Sequence, residues 1–185
     1  MATKTKDRVF IWVIAVVLTI GTIGTYAALV LGTNNQNNQA AEQQQLLDQY
    51  KRQIYANNLP LDGYQAKSFD AKSVDSLQTE DLKAGSGPAA KADDKVTLSY
   101  FGWTPDGKIF DSSNKKDGSG KPFSFIPSAG GAIDGWVKGV PGMKVGGVRR
   151  LTIPAAQAYG AAGSPPLIPA NTPLQFIVRL DKIGS

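Results

Sequence analysis

Two kinds of hydrophobic pattern divide this chain. Residues 9–31 form a continuous apolar run without a charged side chain, VFIWVIAVVLTIGTIGTYAALVL. From about Leu77 onward, short segments alternate apolar and polar residues and are separated by Gly, Pro and Asp. A continuous apolar run of this length predicts a membrane-spanning helix, whereas alternation predicts strands with one buried face. We therefore expect a membrane anchor followed by a β-rich domain.

The apolar run over residues 9–31 has the features of an uncleaved anchor. Trp12 and Tyr26 lie towards its two ends, where interfacial aromatic residues are common. Basic residues precede the run within residues 1–8, and no charge follows before Glu42. This asymmetry predicts a cytoplasmic N-terminus over residues 1–8, a single pass through the cell membrane and an extracytoplasmic remainder, as in a bacterial-type anchored protein. A cleavable signal peptide is the alternative, although its apolar region is usually shorter.

Residues 32–76 read as a polar stalk and linker. Asn and Gln dominate its first part, and the spacing of Leu47, Tyr50 and Ile54 predicts a short helix near residues 40–57. That helix is either a dimerising stripe or a semi-rigid spacer, and its short length favours the spacer. The mixed, polar segment from Leu61 to Val74 is interpreted as linker.

Residues 77–185 are expected to fold as an α+β domain with five to six antiparallel strands and one short helix. Residues 78–83 are the first predicted strand, and residues 96–111 form a predicted hairpin around the turn sequence TPDG. The segments KPFSFIP, VRRLTIP and LQFIVRLDKI are further strands, and the short helix begins around residues 133–136. With so little helix, the sheet must curl around it to bury an apolar face. Trp136 is then expected where the helix meets the concave side of the sheet.

The composition removes most familiar catalytic chemistry. The chain has no cysteine and no histidine, so it lacks a thiolate nucleophile, the commonest general base and the commonest metal ligand. We expect no metal and no cofactor. The net charge of +5 is spread along the chain rather than concentrated on one face, which argues against a nucleic-acid partner.

Aromatic residues from separate predicted elements are expected to converge on the concave face, either as plain core or as the lining of a pocket: Tyr100, Phe110, Phe123, Phe125, Trp136, Tyr159 and Phe176. The loop sequence AYGAAGSPPLIPANTP, rich in Gly and Pro, favours a roofed pocket, while Phe125 is expected in the core. An apolar pocket without nucleophile or base can still lower the barrier to prolyl amide rotation, roughly 18–20 kcal/mol, because the twisted amide is less polar than the planar one.

The strings FDSS, GWVKGVPGMKVGGVRRLTIP, AYG and LIPANTPLQFIVRL resemble, in order and spacing, the FKBP-type peptidyl-prolyl cis-trans isomerases, from about Leu77 to the end of the chain. The resemblance implies a half-open antiparallel sheet wrapped around the short helix. It also implies a rotamase that acts on Xaa-Pro bonds of extracytoplasmic polypeptides, assists their folding and is open to macrolide inhibitors. A non-catalytic module that grips proline-containing segments or a partner protein is the alternative.

Carried over residue by residue, the resemblance implies two groups of site residues. The catalytic group is Tyr100, Phe110, Asp111, Trp136 and Tyr159. The substrate-binding group is Phe123, Ala132, Ile133, Leu167, Ile168 and Phe176. In this reading Trp136 is the pocket floor, and the Ile133 N–H and the Tyr159 hydroxyl hold substrate carbonyls. Asp111 accepts a hydrogen bond from Tyr100 or serves only to cap a turn.

The chain also departs from the family pattern. Ala132 stands where a larger aliphatic residue is common, which opens that edge of the pocket. The loop over residues 114–121 is longer and lacks an arginine, for which Lys115 or Lys116 is the candidate replacement. Phe101 and Trp103 are expected as surface contacts. These departures affect substrate preference and macrolide affinity and leave the central pocket intact.

Overall fold

The computed structural model describes residues 36–184. Its helices and strands are α1 (Gln36–Asn57), β1 (Asn58–Leu59), β2 (Gln78–Lys83), β3 (Val96–Trp103), β4 (Ile109–Ser112), β5 (Asn114–Lys115), β6 (Phe123–Phe125), α2 (Asp134–Gly139), β7 (Val148–Ile153) and β8 (Leu174–Ile183). Short 3-10 turns occur at Ala71–Ser73, Pro127–Ala129 and Ala155–Gln157. No helix within residues 36–184 is both long and apolar enough to span a bilayer. The span expected over residues 9–31 lies outside the described residues.

Six antiparallel strands form the main sheet, as the alternating pattern predicts. Their order is β2-β7-β8-β3-β4, and β6 pairs with the other end of β3. The hairpin of β3 and β4 and the strand β2 have the expected positions. A separate two-stranded ladder joins β1 to β5, which the sequence did not indicate. Two-residue strands carry too few side chains to show an alternating pattern.

Helix α1 extends the predicted helix near residues 40–57 by one turn at its start. The chain divides within this helix into two units, residues 1–49 and residues 50–185. The described part of the first unit, residues 36–49, is a mostly exposed helical segment in which Leu46 is 59% exposed. The second unit contains the end of α1, all the strands and α2.

The concave face of the sheet carries the main hydrophobic core. Val96 and Leu98 of β3 are fully buried there, as alternation requires, and Tyr100 on the same face is partly buried. Leu151 and Ile153 of β7 and Leu174 of β8 complete the centre of this core. Helix α2 packs onto the same face, so the sheet supplies the apolar surface that a six-residue helix cannot supply alone.

Glycine on one side of α2 allows the helix to approach β7 closely. A Cβ atom at Gly135 would collide with Ile153 Cγ2, and one at Gly139 would lie 2.8 Å from Leu151 Cδ2. Asp134 in the first turn and Lys138 in the last turn complement the helix dipole. The close approach places Trp136, between the two glycines in sequence, at the concave face.

The convex face carries a second core, and here two expectations are wrong. Phe101 and Trp103, expected as surface contacts, are 0% and 2% exposed. The segment read as linker supplies their cover: Leu61, Tyr64, Ala66 and Phe69 pack against Phe101, Trp103, Val148 and Ile177. Trp103 Nε1 also donates to the Lys67 carbonyl at 2.8 Å. We call residues 58–74 the N-terminal strap, because they cross the convex face and bury it.

We expect Leu61→Ala in the strap to lower the free energy of unfolding by about 2–5 kcal/mol, since it removes a buried side chain and leaves a cavity. Leu61 is 7% exposed, whereas Leu59, two residues earlier, is 36% exposed. Leu59→Ala is therefore the matched control and should cost about 0.5 kcal/mol or less. Denaturant unfolding of the full chain measures both. Equal, small effects of the two substitutions would show that the strap does not belong to the cooperative unit.

Candidate functional site

A cavity of about 690 Å³ opens between α2, the concave face of the sheet and the loop after β7. Its lining includes most of the residues proposed from the sequence: Tyr100, Phe110, Asp111, Phe123, Ala132, Ile133, Trp136, Tyr159 and Phe176. Gly131, Asp134, Ala156 and Ala158 also line it. The volume lies in the range of ligand sites, and aromatic side chains predominate among the larger lining residues.

Trp136 lies at the centre of an aromatic cluster and is 5% exposed. Its ring meets Tyr100, Phe123 and Phe176 edge to face, with centroids 5.0, 5.8 and 5.3 Å away. Phe125, which does not line the cavity, supports the indole from the core at 6.0 Å. Edge-to-face pairs of this kind fix a ring in position. The Trp136 Nε1–H is buried and has no hydrogen-bond partner within residues 36–184.

Two walls of the cavity depend on the absence of a side chain at Gly102. Phe110 and Phe176 meet edge to face with centroids 5.6 Å apart. A Cβ atom at Gly102 would collide with Phe176 Cε1 and lie 2.8 Å from Phe110 Cζ. Gly102 of β3 is paired with Asp111 on one side and with Phe176 on the other. The sheet register therefore brings both aromatic rings over the same glycine.

Asp111 is fully engaged by its neighbours. Its Oδ2 accepts a hydrogen bond from the Tyr100 hydroxyl at 2.5 Å, and its Oδ1 accepts one from the Ser112 N–H at 2.9 Å. Lys115 Nζ lies 3.4 Å from the same Oδ1. Of the two alternatives left open by the sequence, the structure shows the hydrogen bond from Tyr100, because Asp111 lies within β4 and its other bond goes to the next residue of that strand rather than to a turn. A carboxylate held in this way orients a neighbour rather than acting as a base.

The two tyrosines at the cavity stay neutral over the ordinary pH range. Burial, followed by the nearby Asp111 carboxylate, raises the pKa of Tyr100 well above its usual value. The same two causes, in the same order, raise the pKa of Tyr159. Both effects disfavour the phenolate, because it would be poorly solvated and close to another negative charge.

Two hydrogen-bond donors at the cavity are free to meet a ligand. Ile133 precedes α2 and its carbonyl accepts from the Trp136 N–H at 2.9 Å, but within residues 36–184 its own N–H has no intramolecular acceptor. Tyr159 lines the cavity and is 39% exposed. A substrate with two carbonyl groups flanking an apolar ring would find donors for both and an aromatic floor for the ring.

Leu167 and Ile168 do not line the cavity, in contrast to the expectation from the sequence. Ile168 is 3% exposed within the main core, and Leu167 packs against that core. The loop closes on itself through Ser164 N–H to Ile168 carbonyl at 2.8 Å and Ile168 N–H to Ser164 carbonyl at 3.0 Å. This closure turns the apolar side chains inward.

Four lining residues were not predicted from the sequence, because their side chains are small or gave no indication of a binding role. Ala156 and Ala158 lie in and just after the 3-10 turn that follows β7. Gly131 and Asp134 flank the start of α2. An alanine carries no signal of a binding site in a single sequence, so only the fold reveals their place. Asp134 could be read only as a helix-start residue.

Comparison with known proteins gives the family. The model for the FKBP-type peptidyl-prolyl cis-trans isomerase domain matches residues 87–181, which is about half of the chain. By sequence, this chain is 48% identical over 109 residues to FK506-binding protein 4 of Rhizopus delemar, covering 59% of this chain and 28% of that protein. It is 51% identical over 104 residues to FK506-binding protein 4 of Dictyostelium discoideum, covering 56% and 27%.

These curated relatives are eukaryotic and do not support the expected bacterial type. This chain spans only about a quarter of their length. Two solved structures, in contrast, align with this chain over most of their own length. A peptidyl-prolyl cis-trans isomerase from Pseudomonas syringae is 30% identical with a TM-score of 0.51, covering 74% of this chain and 92% of that one. The structure named AtFKBP13 is 34% identical with a TM-score of 0.53, covering 58% and 93%.

The family match over residues 87–181 coincides with the strands and the helix that build the aromatic cavity. Fold, cavity lining and sequence relatives therefore agree. This chain belongs to the FKBP-type peptidyl-prolyl cis-trans isomerase family.

Proposed function

We propose that this chain catalyses cis–trans isomerisation of Xaa-Pro peptide bonds in its aromatic cavity. The observation that carries the proposal is the buried floor made by Trp136, with the free Ile133 N–H and the Tyr159 hydroxyl beside it. A proline ring fits an aromatic floor, and the carbonyls on either side of it need donors. Two carboxylates, Asp111 and Asp134, also line the cavity, and the proposed reaction needs neither of them as acid, base or nucleophile.

Such a cavity lowers the rotation barrier by differential binding. The barrier of roughly 18–20 kcal/mol arises because the twisted amide loses C–N resonance. The twisted amide is also less polar than the planar form, so a water-poor aromatic site disfavours the planar ground state relative to it. Donors that hold the flanking carbonyls keep the substrate still while the C–N bond turns. Proton transfer is not needed at any step.

Each side chain then has one task. Trp136 supports the proline ring, while Phe110 and Phe176 form walls that exclude water. Tyr100 is a wall whose hydroxyl is already committed to Asp111. Phe123 is 36% exposed and closes part of the cavity rim, and the small side chain of Ala132 leaves the rim wider.

Proline-containing polypeptides are the substrates that follow, and we propose macrolides as competing ligands. Support for the macrolides comes from the relatives, which are named FK506-binding proteins. The present cavity keeps the aromatic walls that would hold an apolar macrolide ring. The long loop over residues 114–121 and Ala132 alter its edges, so affinity for a macrolide should depend on these two regions.

We also propose that the chain is anchored in the cell membrane through residues 9–31 and that the isomerase domain faces away from the cytoplasm. The support is the uncharged apolar run, long enough for a bilayer core of roughly 30 Å, and the basic residues Lys4, Lys6 and Arg8 before it. An anchored isomerase would meet exported chains as they emerge. Slow Xaa-Pro isomerisation limits the folding of such chains.

We expect Trp136→Leu to reduce the acceleration of Xaa-Pro exchange by about tenfold or more, because loss of the floor removes roughly 1–2 kcal/mol of contact to the twisted state. Exchange of a Xaa-Pro peptide, followed by NMR with the full chain, measures the rate. Trp103→Leu is the matched control, since Trp103 is equally buried but lies on the convex face. It should lower stability and leave the rate per folded molecule unchanged.

The same experiment separates catalysis from binding. Peptide binding without acceleration in the unsubstituted chain would favour the non-catalytic module that grips proline-containing segments. Equal loss of rate in Trp136→Leu and Trp103→Leu would mean that the rate follows stability and not the cavity floor.

We expect the acceleration to be independent of pH between about pH 6 and about pH 9. Burial, then Asp111, raises the pKa of Tyr100 and of Tyr159 above the usual 10.0, so both phenols remain protonated throughout this range. The chain has no histidine or cysteine to titrate near neutral pH. NMR exchange rates at several pH values check this. A bell-shaped profile centred near neutral pH would contradict a mechanism without proton transfer.

A protease-sensitive tag placed after Ser185 tests the proposed topology in intact cells. We expect external protease to remove the tag without membrane rupture, because the positive residues before the anchor retain the N-terminus inside. A cytoplasmic tagged protein provides the control for cell integrity. Digestion only after the membrane is breached would overturn the assigned orientation.

A further inference from the structure

The long loop after β4 brings a lysine beside one of the carboxylates that line the cavity. Lys115 Nζ lies 3.4 Å from Asp111 Oδ1, and the Lys115 side chain is 29% exposed. The neighbouring Lys116 is exposed, and no ion pair of its ammonium is found within residues 36–184. Of the two lysines considered from the sequence, the structure therefore places Lys115, not Lys116, beside the cavity carboxylate.

Backbone pairing with the start of the N-terminal strap holds this loop in place. Asn58 pairs with Lys115 and Leu59 with Asn114 in the short ladder of β1 and β5. The Lys116 N–H donates to the Asn57 carbonyl at 2.8 Å. The Asn114 side chain donates to the Pro60 carbonyl at 2.9 Å. We call these contacts, made by residues 57–60 with residues 114–117, the clasp.

A reciprocal side-chain pair completes the clasp. Asn57 Nδ2 donates to Asp117 Oδ2 at 3.0 Å, and the Asp117 N–H donates to Asn57 Oδ1 at 3.1 Å. The Ser119 hydroxyl and N–H also donate to Asp117 Oδ1 and lower the pKa of that carboxyl. Asp117 is therefore an ionised acceptor at neutral pH. Asn57 therefore contacts the loop through its backbone carbonyl and through the nitrogen and the oxygen of its side-chain amide.

The charges at the cavity edge explain what the clasp controls. Two carboxylates line the cavity, Asp111 and Asp134. Each has one lysine nearby, Lys115 at 3.4 Å and Lys138 at 3.8 Å. The Asp111 side chain is 43% exposed, so withdrawal of Lys115 would leave its negative charge facing an incoming substrate. The Lys115 ammonium also has three donors, of which Asp111 engages only part.

We propose that Lys115 is a specificity-determining residue that favours substrates with an acidic side chain immediately before proline, and that Asn57 is the positioning residue that keeps it there. The inference rests on the proposed isomerase function and adds a substrate class to it. Through the clasp, the last residue of α1 and the segment directly after it become part of the active-site architecture. Lys115 attracts the substrate carboxylate and at the same time neutralises Asp111.

The test compares two peptides that differ only in Glu or Gln before proline, assayed with the full chain. The quantity measured is the ratio of kcat/KM for the Glu peptide to that for the Gln peptide. We expect Lys115→Met to lower this ratio roughly two- to fivefold, the range expected of a partly exposed charge contact. Lys116→Met is the matched control, because it removes the same charge from the same loop, and it should leave the ratio within experimental error.

Two variants, Asn57→Asp alone and Asn57→Asp combined with Asp117→Asn, test the positioning role of Asn57. Asn57→Asp sets two carboxylates against each other in the clasp, and we expect it to lower the Glu-to-Gln ratio towards the Lys115→Met value. Adding Asp117→Asn restores the hydrogen bond with donor and acceptor reversed, and the ratio should recover. Amide hydrogen exchange at Lys116 and Asp117 should rise in Asn57→Asp and return in the double variant. A merely structural role would change stability without this recovery of substrate preference.

Failure of the inference about Lys115 can be told apart from failure of the isomerase proposal. Dissociation constants for the two peptides, from NMR titration, give the same ratio without catalysis. If no variant accelerates exchange but the binding ratio follows the pattern above, the isomerase proposal fails and the role of Lys115 stands. If the unsubstituted chain is active, and Lys115→Met changes neither the kcat/KM ratio nor the ratio of dissociation constants, the inference is overturned. A Glu-to-Gln ratio that falls in Asn57→Asp and does not recover when Asp117→Asn is added would overturn the positioning role of Asn57.

Discussion

The burial of Trp136 between α2 and the sheet is the contact on which the rest of the structure depends. A six-residue helix is too short to be stable in water and gains its stability from packing. Gly135 allows that packing, because any side chain there would collide with Ile153. The indole is thereby fixed against the aromatic rings of three strands, and the same contact that completes the core also forms the floor of the cavity.

The cavity combines apolar walls with a small polar edge in which Asp111 already has protein partners. The Asp111 carboxylate accepts hydrogen bonds from the Tyr100 hydroxyl and the Ser112 N–H and forms an ion pair with Lys115. Within residues 36–184, the Ile133 N–H and the Tyr159 hydroxyl have no protein acceptor and can donate to a ligand beside an aromatic surface. Such a site is suited to a carbonyl-bearing apolar substrate and unsuited to acid–base chemistry. Because the chain has no histidine and no cysteine, the catalysis that we propose relies mainly on desolvation of the substrate amide.

The sequence was informative where side chains repeat with a clear period. The alternation of Val96, Leu98 and Tyr100 correctly indicated the inner face of β3. The same strand holds Phe101 and Trp103 on its other face, and apolar residues on both faces are a sign that both are covered. We predicted surface contacts there, because Leu61, Tyr64 and Phe69 follow no period and look like linker until the sheet they cover is known.

The candidate site shows a similar limit. Large aromatic residues of the strands and helix were placed by the resemblance, and the structure brings them together around one cavity. Leu167 and Ile168 were misplaced because an apolar residue on a loop can roof a pocket or turn into the core, and the Ser164–Ile168 bridge decides the matter. The clasp was invisible, since its contacts are backbone pairs and one Asn–Asp pair distant in sequence.

The most direct test of catalysis by desolvation is the rate of Xaa-Pro exchange in H₂O and in D₂O, measured with the full chain at matched acidity. If the cavity acts by disfavouring the planar amide, no proton moves in the transition state and the acceleration will be the same in both solvents. A clearly smaller acceleration in D₂O would mean that a proton is transferred in the rate-limiting step, and it would contradict the mechanism proposed for the Trp136 cavity.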